Sequence, residues 1–562
     1  MKQKTAPEKL VSALLQTIDP KEIADEQMRQ TVELLLNLIE QLNSKVIELE
    51  AQTQKLRDEN NRLKGEQGKP DIKANKKKGL KKEYSSEKER KKSKNHRKTS
   101  KKKQIKIDRS EIVKYPREKL PEDAEFKGYE EVIVQDIVLK TDNVLFRKQK
   151  FYSPQTGKTY LASLPGGYEG EFGPGIKALV TSLYYSGNMT QGKIRSLLED
   201  LGISISAGYL SNLLIKNPGD FETEFNELYK EGLATSPWQH LDQTGARVGG
   251  VNYTTNIICN PLYTVYQTTR NKDRLSVLRI LQNTQELELI LNELTYELLG
   301  KLKLPIKWQN RLQLLPQETV LTQTQFNALL EQHLEKLSSG YRTRIQEAAA
   351  IAFYHQQSNW PVVRTLVCDD APQFKLISEE LALCWVHEGR HYKKLNPLVA
   401  YHQQLLQQFL KDFWDYYREL LAYTDASSPQ AAEKLRTEFY RLFDSDSGYQ
   451  QLDERKRLTF AKISELLLVL EHPELPLHNN PAELGARTMV QRRNISYGTQ
   501  TLEGTKAWDI FMSLVATTRK LGISFFEYMR DRISQVGNIP SLATIIREQS
   551  SLYSFGGSWT PE

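Results

Sequence analysis

The segment VVRTLVCDDAPQF is apolar and β-branched until it stops at two adjacent carboxylates, Asp369 and Asp370, and another carboxylate, Asp242, lies in WQHLDQTG near the end of a second strand-like run. Charges at the ends of strands that otherwise read as core need a reason. Clustered carboxylates without cysteine or histidine partners are what hard, oxygen-seeking divalent cations take as ligands. The plainer alternative is local: an Asp ahead of Pro372 organises a turn, and Asp242 accepts bonds from backbone amides in its loop. Cys384 and His387 in CWVH form a second donor pair, but one Cys and one His three residues apart fall short of a zinc site. They read as packing by Cys384 and Trp385, with His387 lining the site edge and His391 uncommitted.

For Asp242 and Asp369 to act together, 127 residues apart, the fold must bring two strand ends side by side. PWQHLDQTGARVGGVNYTTNIICNPLYTVYQTT reads as three consecutive short strands with turns at ARVGG and NP. The strand VVRTLVCDD follows, then a short helix through SEELA, the apolar strand-like stretch LALCWVH, and HNNPAELGARTMVQRRN, which starts a helix at Pro481. Three antiparallel strands followed by alternating helices and strands are the ribonuclease H-like order, in which the ends of the first and fourth strands are neighbours. Asn480, Pro481 and Glu483 also match the N-cap, N1 and N3 positions of a capping box, which gives Glu483 a structural reading. The expected catalytic region, residues 233–500, carries helical insertions at about 283–358 and 395–475, and residues 501–562 form a C-terminal helical region.

Upstream the chain changes character several times. Val32, Ile39, Val46, Thr53 and Asn60 at one heptad position, with Leu35, Leu42, Leu49, Leu56 and Leu63 at the other, predict a parallel two-stranded coiled coil over 28–64 within a helical region 1–66. Residues 73–106 hold 17 Lys or Arg against three Glu, a net charge of +14 in a chain whose total is +8. This segment predicts a disordered basic linker, 67–108, whose Lys76, Lys77, Lys78, Lys101, Lys102 and Lys103 contact nucleic-acid phosphates. Zipper before basic block reverses the order of a basic leucine zipper factor. Residues 109–173 read as a small β-hairpin domain, with YEEVIVQDIVLK as strand and SPQTGK between two strands. Residues 174–232 read as helical, with a helix-turn-helix-like pair turning near Gly202, capped by Ser204 or Ser206, and either reading DNA or forming an ordinary hairpin.

At 562 residues and 39% hydrophobic the chain can bury several units of core. No run approaches the roughly 18 apolar residues of a membrane span, and MKQKTAPEKL is unlike a signal peptide, so a cytoplasmic location is expected. The three cysteines, Cys259, Cys368 and Cys384, are isolated and read as buried small side chains.

From about 170 to 534 the chain resembles the DDE transposases of the insertion sequence 66 family, through LDQTGARVGGVNY, LVCDDAPQF, LCWVHEGRHYKK, and NNPAELGARTMVQRRN followed by GTKAWDIFMSLVATTRKLGISFFEYM. The resemblance implies a multidomain α+β/α protein with a ribonuclease H-like catalytic domain. It makes Asp242, Asp369 and Glu483 the catalytic triad and metal ligands, and leaves Asp370 unused. The implied cofactor is Mg²⁺, with Mn²⁺ as a substitute, and the implied partner is double-stranded DNA, both element ends and target, bound by a homodimer or higher oligomer. Arg487, Arg492 and Arg493 continue the Glu483 helix and are candidates to hold phosphates. Relatives often carry a cysteine zinc ribbon where FRKQKFYSPQTGKTY stands without cysteine, so zinc is not expected. Two other functions fit the same residues: a noncatalytic DNA-binding derivative of such an enzyme, and a structure-selective nuclease.

Overall fold

A computed structural model describes residues 14–63 and 107–552, apart from 122–123, 138–139, 169 and 217–218. The basic segment with Lys76, Lys77, Lys78, Lys101, Lys102 and Lys103 lies outside the described residues. Helix α1 (Glu26–Leu63) carries the heptads. A hairpin of β1 (Lys150–Ser153) and β2 (Lys158–Leu161) closes through Gly157, which takes a positive φ. The stretch YEEVIVQDIVLK, expected as strand, has no strand partner among the described residues, and Val132, Val134 and Ile137 are exposed. Helices α2 (Pro174–Thr181), α3 (Gln191–Asp200), α4 (Ala207–Ile215) and α5 (Asp220–Ala234) follow. Between α3 and α4 the turn uses Gly202 at positive φ, and Ser206, not Ser204, caps α4 by accepting the Tyr209 N–H at 3.1 Å.

The central sheet holds β3 (Trp238–Val248), β4 (Val251–Cys259) and β5 (Thr264–Thr269) as an antiparallel meander. Beyond α6 (Arg274–Leu281), a two-stranded ribbon of β6 (Glu288–Leu289) and β7 (Leu321–Thr322) is interleaved with α7 (Glu293–Lys301), α8 (Ile306–Leu312), α9 (Gln323–His333) and α10 (Ser339–Gln356). The chain then returns to the sheet as β8 (Thr365–Cys368) and β9 (Glu380–Leu383), parallel to β3 and β8 respectively. The sheet order is therefore β5-β4-β3-β8-β9. Two expectations are corrected here. The SEELA segment is not a helix but leads into β9, and CWVH is not strand but the start of α11 (Trp385–Lys394).

The second insertion consists of α12 (Ala400–Asp425), α13 (Pro429–Phe443), α14 (Gln450–Phe460) and the short α15 (Ile463–Leu466). It has its own aromatic core around Trp385, Phe413, Tyr417 and Phe439. Helix α16 (Asn480–Ser496) crosses back over the sheet, and α17 (Leu502–Lys520), α18 (Phe525–Ser534) and α19 (Leu542–Ser550) complete the chain. One hydrophobic core runs from the helices before the sheet, through both sheet faces, to these last helices.

Helix α17 solves the problem of an exposed sheet edge. Asp509 accepts the Thr268 N–H at 2.7 Å, Ser513 the Tyr266 N–H at 2.9 Å and Thr517 the Thr264 N–H at 3.2 Å. Four helix residues rise about 6 Å and two strand residues about 6.8 Å, so a polar residue at every fourth helix position meets each successive outward amide of β5, two strand residues apart.

Helix α1 lies on the second insertion of its own chain. Leu36 packs with Leu15, Val399 and Tyr401, and the buried Glu40 carboxylate accepts the Leu398 and Val399 N–H groups at 2.7 and 2.8 Å ahead of α12. The expected heptad seam is split: Val32 and Ile39 of one heptad position pack against this same cluster, whereas Leu35, Leu42, Leu49 and Leu56 of the other are all exposed. No helix among the described residues is long and apolar enough to cross a membrane.

Candidate active site

The ladder between β3 and β8 pairs His240 with Val367. Continued by two residues, the register sets Asp242 beside Asp369, and the period of two aims both carboxylates at the face that His240 and Val367 share. Asp242 is thus the fifth residue of an eleven-residue strand, at the point where β8 stops and β3 continues toward its turn with β4. Across the sheet Asp242 pairs with Ile257, and Ile257 with Tyr266, so Asp242, Ile257 and Tyr266 form one row on that face.

Helix α16 lies over this row and brings in Glu483. Its approach is close because Gly485 has no side chain: a Cβ there would sit 2.8 Å from Ile257 Cγ2. The Tyr266 hydroxyl donates to the Gly485 carbonyl at 3.3 Å. The helix start is fixed by Asn479, which donates to the Leu241 carbonyl at 2.8 Å and accepts from His240 Nδ1 at 2.9 Å, while its own N–H donates to Cys384 Sγ at 3.3 Å. Burial drives the His240 pKa down to about 3, so this ring stays neutral and serves as a strut. The expected capping box is corrected by one residue: Asn479, not Asn480, is the N-cap, and its side chain makes no cap bond. Glu483 is therefore free of capping duty, and its carboxylate faces Arg390 and His387.

Asp369 and Asp370 divide their work. Asp370 is ion-paired with Lys375 at 2.7 Å and with Lys462 at 3.2 Å, and Lys462 also reaches the buried Glu388 at 2.6 Å. Burial pushes the Asp370 carboxyl up, but the two lysines outweigh it and hold it below the usual range. The turn that carries both residues is held again on its far side, where Arg274 donates to the Pro372 and Lys375 carbonyls, both at 2.9 Å, and Gln373 donates to Gln243 at 2.7 Å. Asp370 thus anchors the turn from which Asp369 extends.

The electrostatics follow from this convergence. Burial first, and then the nearby charges of Asp369 and Glu483, push the Asp242 carboxyl up to about 6, against a bond from the Gln243 N–H at 2.7 Å that favours ionisation. Burial also lowers the His387 pKa, with Glu483 opposing and Arg390 reinforcing the shift. Among the described residues the group of three donors that comes within 4.8 Å of one another is Cys384, His387 and Glu483, not the three carboxylates. Burial raises the Cys384 thiol to about 11, which keeps it protonated as a weak acceptor for Asn479.

The arginines of α16 separate. Arg487 is exposed and Arg493 half-buried beside Gly245. Arg492 is only 1% exposed, its guanidinium stacked 4.0 Å from the Tyr184 ring and 5.2 Å from that of Trp508, with no hydrogen-bond acceptor among the described residues. The expectation that Arg492 holds phosphate is therefore corrected, because its helical position faces the core. Arg390, Lys462 and Asn479 are site-building residues that sequence reasoning missed. Arg390 follows His387 by one helical turn, a spacing hidden while CWVH reads as strand.

Comparison with known proteins bears on the same segment. A model of the "Transposase IS66 family" matches residues 342–507, which include Asp369 and Glu483 but not Asp242. An uncharacterised protein, y4jO, of Sinorhizobium fredii (strain NBRC 101917 / NGR234) is 30% identical over 324 residues, covering 56% of this chain and 98% of that protein.

Proposed function

Because the chain belongs to the IS66 family of transposases, we propose that it is a DDE-type enzyme that cuts DNA at the ends of an insertion sequence and joins them to a target. The observation that carries this reading is the strand register that sets Asp242 beside Asp369, with Glu483 on the helix that crosses the same row of the sheet; in keeping with it, the charges of Asp369 and Glu483 add to burial in raising the pKa of Asp242. The sheet order, with an antiparallel meander and two added parallel strands, supports a ribonuclease H-like catalytic domain.

An all-oxygen donor set whose charges repel one another suits a hard divalent cation, so Asp242, Asp369 and Glu483 would hold Mg²⁺, or Mn²⁺ in its place. Bound there, the metal would supply charge stabilisation for the entering and leaving oxygens of a phosphodiester. The protein's part is to keep the ligands in register. Asn479 and Gly485 set the height of Glu483 above the sheet, and Lys462, Lys375 and Arg274 fix the turn that presents Asp369. Below about pH 6 Asp242 is protonated and a cation would have to compete with that proton, so cation affinity should weaken as pH falls through about 6.

With wild-type protein, Mg²⁺ and duplex DNA carrying the element's own ends, the expected products are cut ends and joined strands. Cutting without joining would make the protein a nuclease, and binding without cutting would make it a noncatalytic DNA-binding protein.

Dimerisation belongs to the same proposal, because α1 buries one stripe against its own chain and leaves a heptad stripe of leucines in water. Replacing Leu42 and Leu49 by Glu should convert a dimer to a monomer in sedimentation velocity while the melting curve stays close to wild type. A dimer that survives both changes would move the association surface elsewhere.

A further inference from the structure

Glu483 already has a cation. Arg390 donates from one terminal nitrogen to Oε1 at 3.3 Å and from the other to Oε2 at 3.1 Å, so both carboxylate oxygens are taken by one guanidinium fork. The first of these nitrogens also lies 3.0 Å from His387 Nε2. Nδ1 of the same ring lies 3.7 Å from Glu483 Oε1. Arg390 and His387 thus hold the carboxylate from one side. A carboxylate held in this way keeps its orientation, and a metal that takes the lone pairs facing Arg390 must displace the guanidinium.

The two partners differ in freedom. Glu483 is 19% exposed on a helix locked by Asn479 and Gly485, whereas the Arg390 side chain is 44% exposed. The backbone beneath Arg390 is closely packed: a Cβ on the adjacent Gly389 would meet Trp414 at 2.6 Å, and the Cys384 N–H donates to the Cys368 carbonyl at 3.0 Å. Only the long side chain can swing. Other cations near the turn have fixed duties: Lys375 pairs with Asp370, Arg455 with Glu388, and Lys462 with both.

We propose that Arg390 is a placeholder for the metal: it holds Glu483 in register until a divalent cation displaces it, and its released guanidinium then binds a phosphodiester oxygen of the DNA at the site. The proposal rests on Glu483 being a metal ligand. A guanidinium cannot shed its proton, so once displaced it must find another anion or water, and the phosphate that arrives with the substrate is the anion at hand. Charge then stays balanced through loading. Before loading, arginine neutralises the glutamate; after loading, the metal does so and arginine neutralises DNA.

The test separates this role from that of a static clip. Full-length protein without DNA is titrated with Mn²⁺, free ion being read by electron paramagnetic resonance, for wild type, Arg390→Gln, Arg390→Lys and Glu483→Gln. Removing a competing bidentate partner should tighten Mn²⁺ binding about tenfold in Arg390→Gln. Arg390→Lys, which keeps the charge and loses the fork, should fall between. DNA cleavage at saturating Mn²⁺ should nonetheless drop in Arg390→Gln, by about tenfold or more, for want of the phosphate contact. Thermal melts of the four proteins check folding. Equal or weaker Mn²⁺ binding in Arg390→Gln, with Glu483→Gln still abolishing the site, would overturn the placeholder. A Glu483→Gln titration indistinguishable from wild type would remove the premise itself.

Discussion

Asp242→Asn is expected to melt at a higher temperature than the wild-type protein when both are free of divalent cation, and to cut no DNA. The carboxyl of Asp242 rises from 3.8 to about 6 in the fold, chiefly through burial and then through Asp369 and Glu483. A raised carboxyl pKa means that the folded state holds the proton more tightly than the unfolded one. Stability from this group is therefore highest at acid pH, declines as pH rises from about 4 through about 6, and stays low above. At neutral pH the cost of the bare charge is about 3 kcal/mol. Asn keeps the acceptor that the Gln243 N–H uses at 2.7 Å and removes the charge, so it should recover much of that sum, a gain of a few degrees. The gain should shrink at pH 5, where wild-type Asp242 is largely protonated, and excess Mg²⁺ should raise the wild-type melt more than that of the variant. Melts in chelator at pH 5 and pH 7.5 check all three statements. A variant that melts lower than wild type at pH 7.5 would mean that Asp242 is a structural acceptor and not one of a strained carboxylate cluster.

Gly485→Val should cost nearly all activity without touching a ligand. Valine would drive its Cβ into Ile257 Cγ2, 2.8 Å away, and crowd the Tyr266 hydroxyl at 3.4 Å. Helix α16 must then rise from the sheet, and overpacking of this kind costs about 1–3 kcal/mol. The larger consequence is geometric, since Glu483 rides on the same helix two residues earlier, and a displacement of about 1 Å in a catalytic group can lower a rate about a hundredfold. Ile257→Ala in the same protein should make room and restore part of the rate, which a general loss of stability would not allow. DNA cleavage by the single and double variants, beside their circular dichroism, reads the effect. Full activity in Gly485→Val would show that the height of α16 is unimportant.

Legibility followed the reach of the forces involved. The pairing of the strands that carry Asp242 and Asp369 is readable because strand runs and their turns are local patterns, and a meander followed by returning strands can set the first strand beside the fourth. Ser206 as a cap and Gly202 as a turn are equally local. What escapes the sequence is set by distant partners. SEELA has helical propensity, yet β8 draws it into an edge strand where Thr365 donates to the Glu380 carboxylate at 2.7 Å. The apolar run through CWVH looks like strand because Trp385 must be buried, but it is buried in the second insertion's aromatic core, at the start of a helix. YEEVIVQDIVLK has strand composition without a partner to pair it among the described residues. Arg492 reads as a surface charge until Tyr184 and Trp508, hundreds of residues away and next door respectively in the fold's own order, close over it. The polar stripe of α17 has meaning only once β5 lies beside it.

In the proposed reaction Asp242, Asp369 and Glu483 together would hold the cation that drives DNA cleavage, while Asp370 supports the turn through Lys375 and Lys462. Strand cleavage and joining on DNA carrying the element's own ends, measured for Asp242→Asn, Asp369→Asn, Glu483→Gln and Asp370→Asn, tests it most directly. The first three should bind DNA and leave it uncut in Mg²⁺ or Mn²⁺, whereas Asp370→Asn should remain active with a lowered melting temperature, because it gives up its ion pairs with Lys375 and Lys462. Wild-type cleavage by Glu483→Gln, or an inactive Asp370→Asn beside an active Asp369→Asn, would contradict the account.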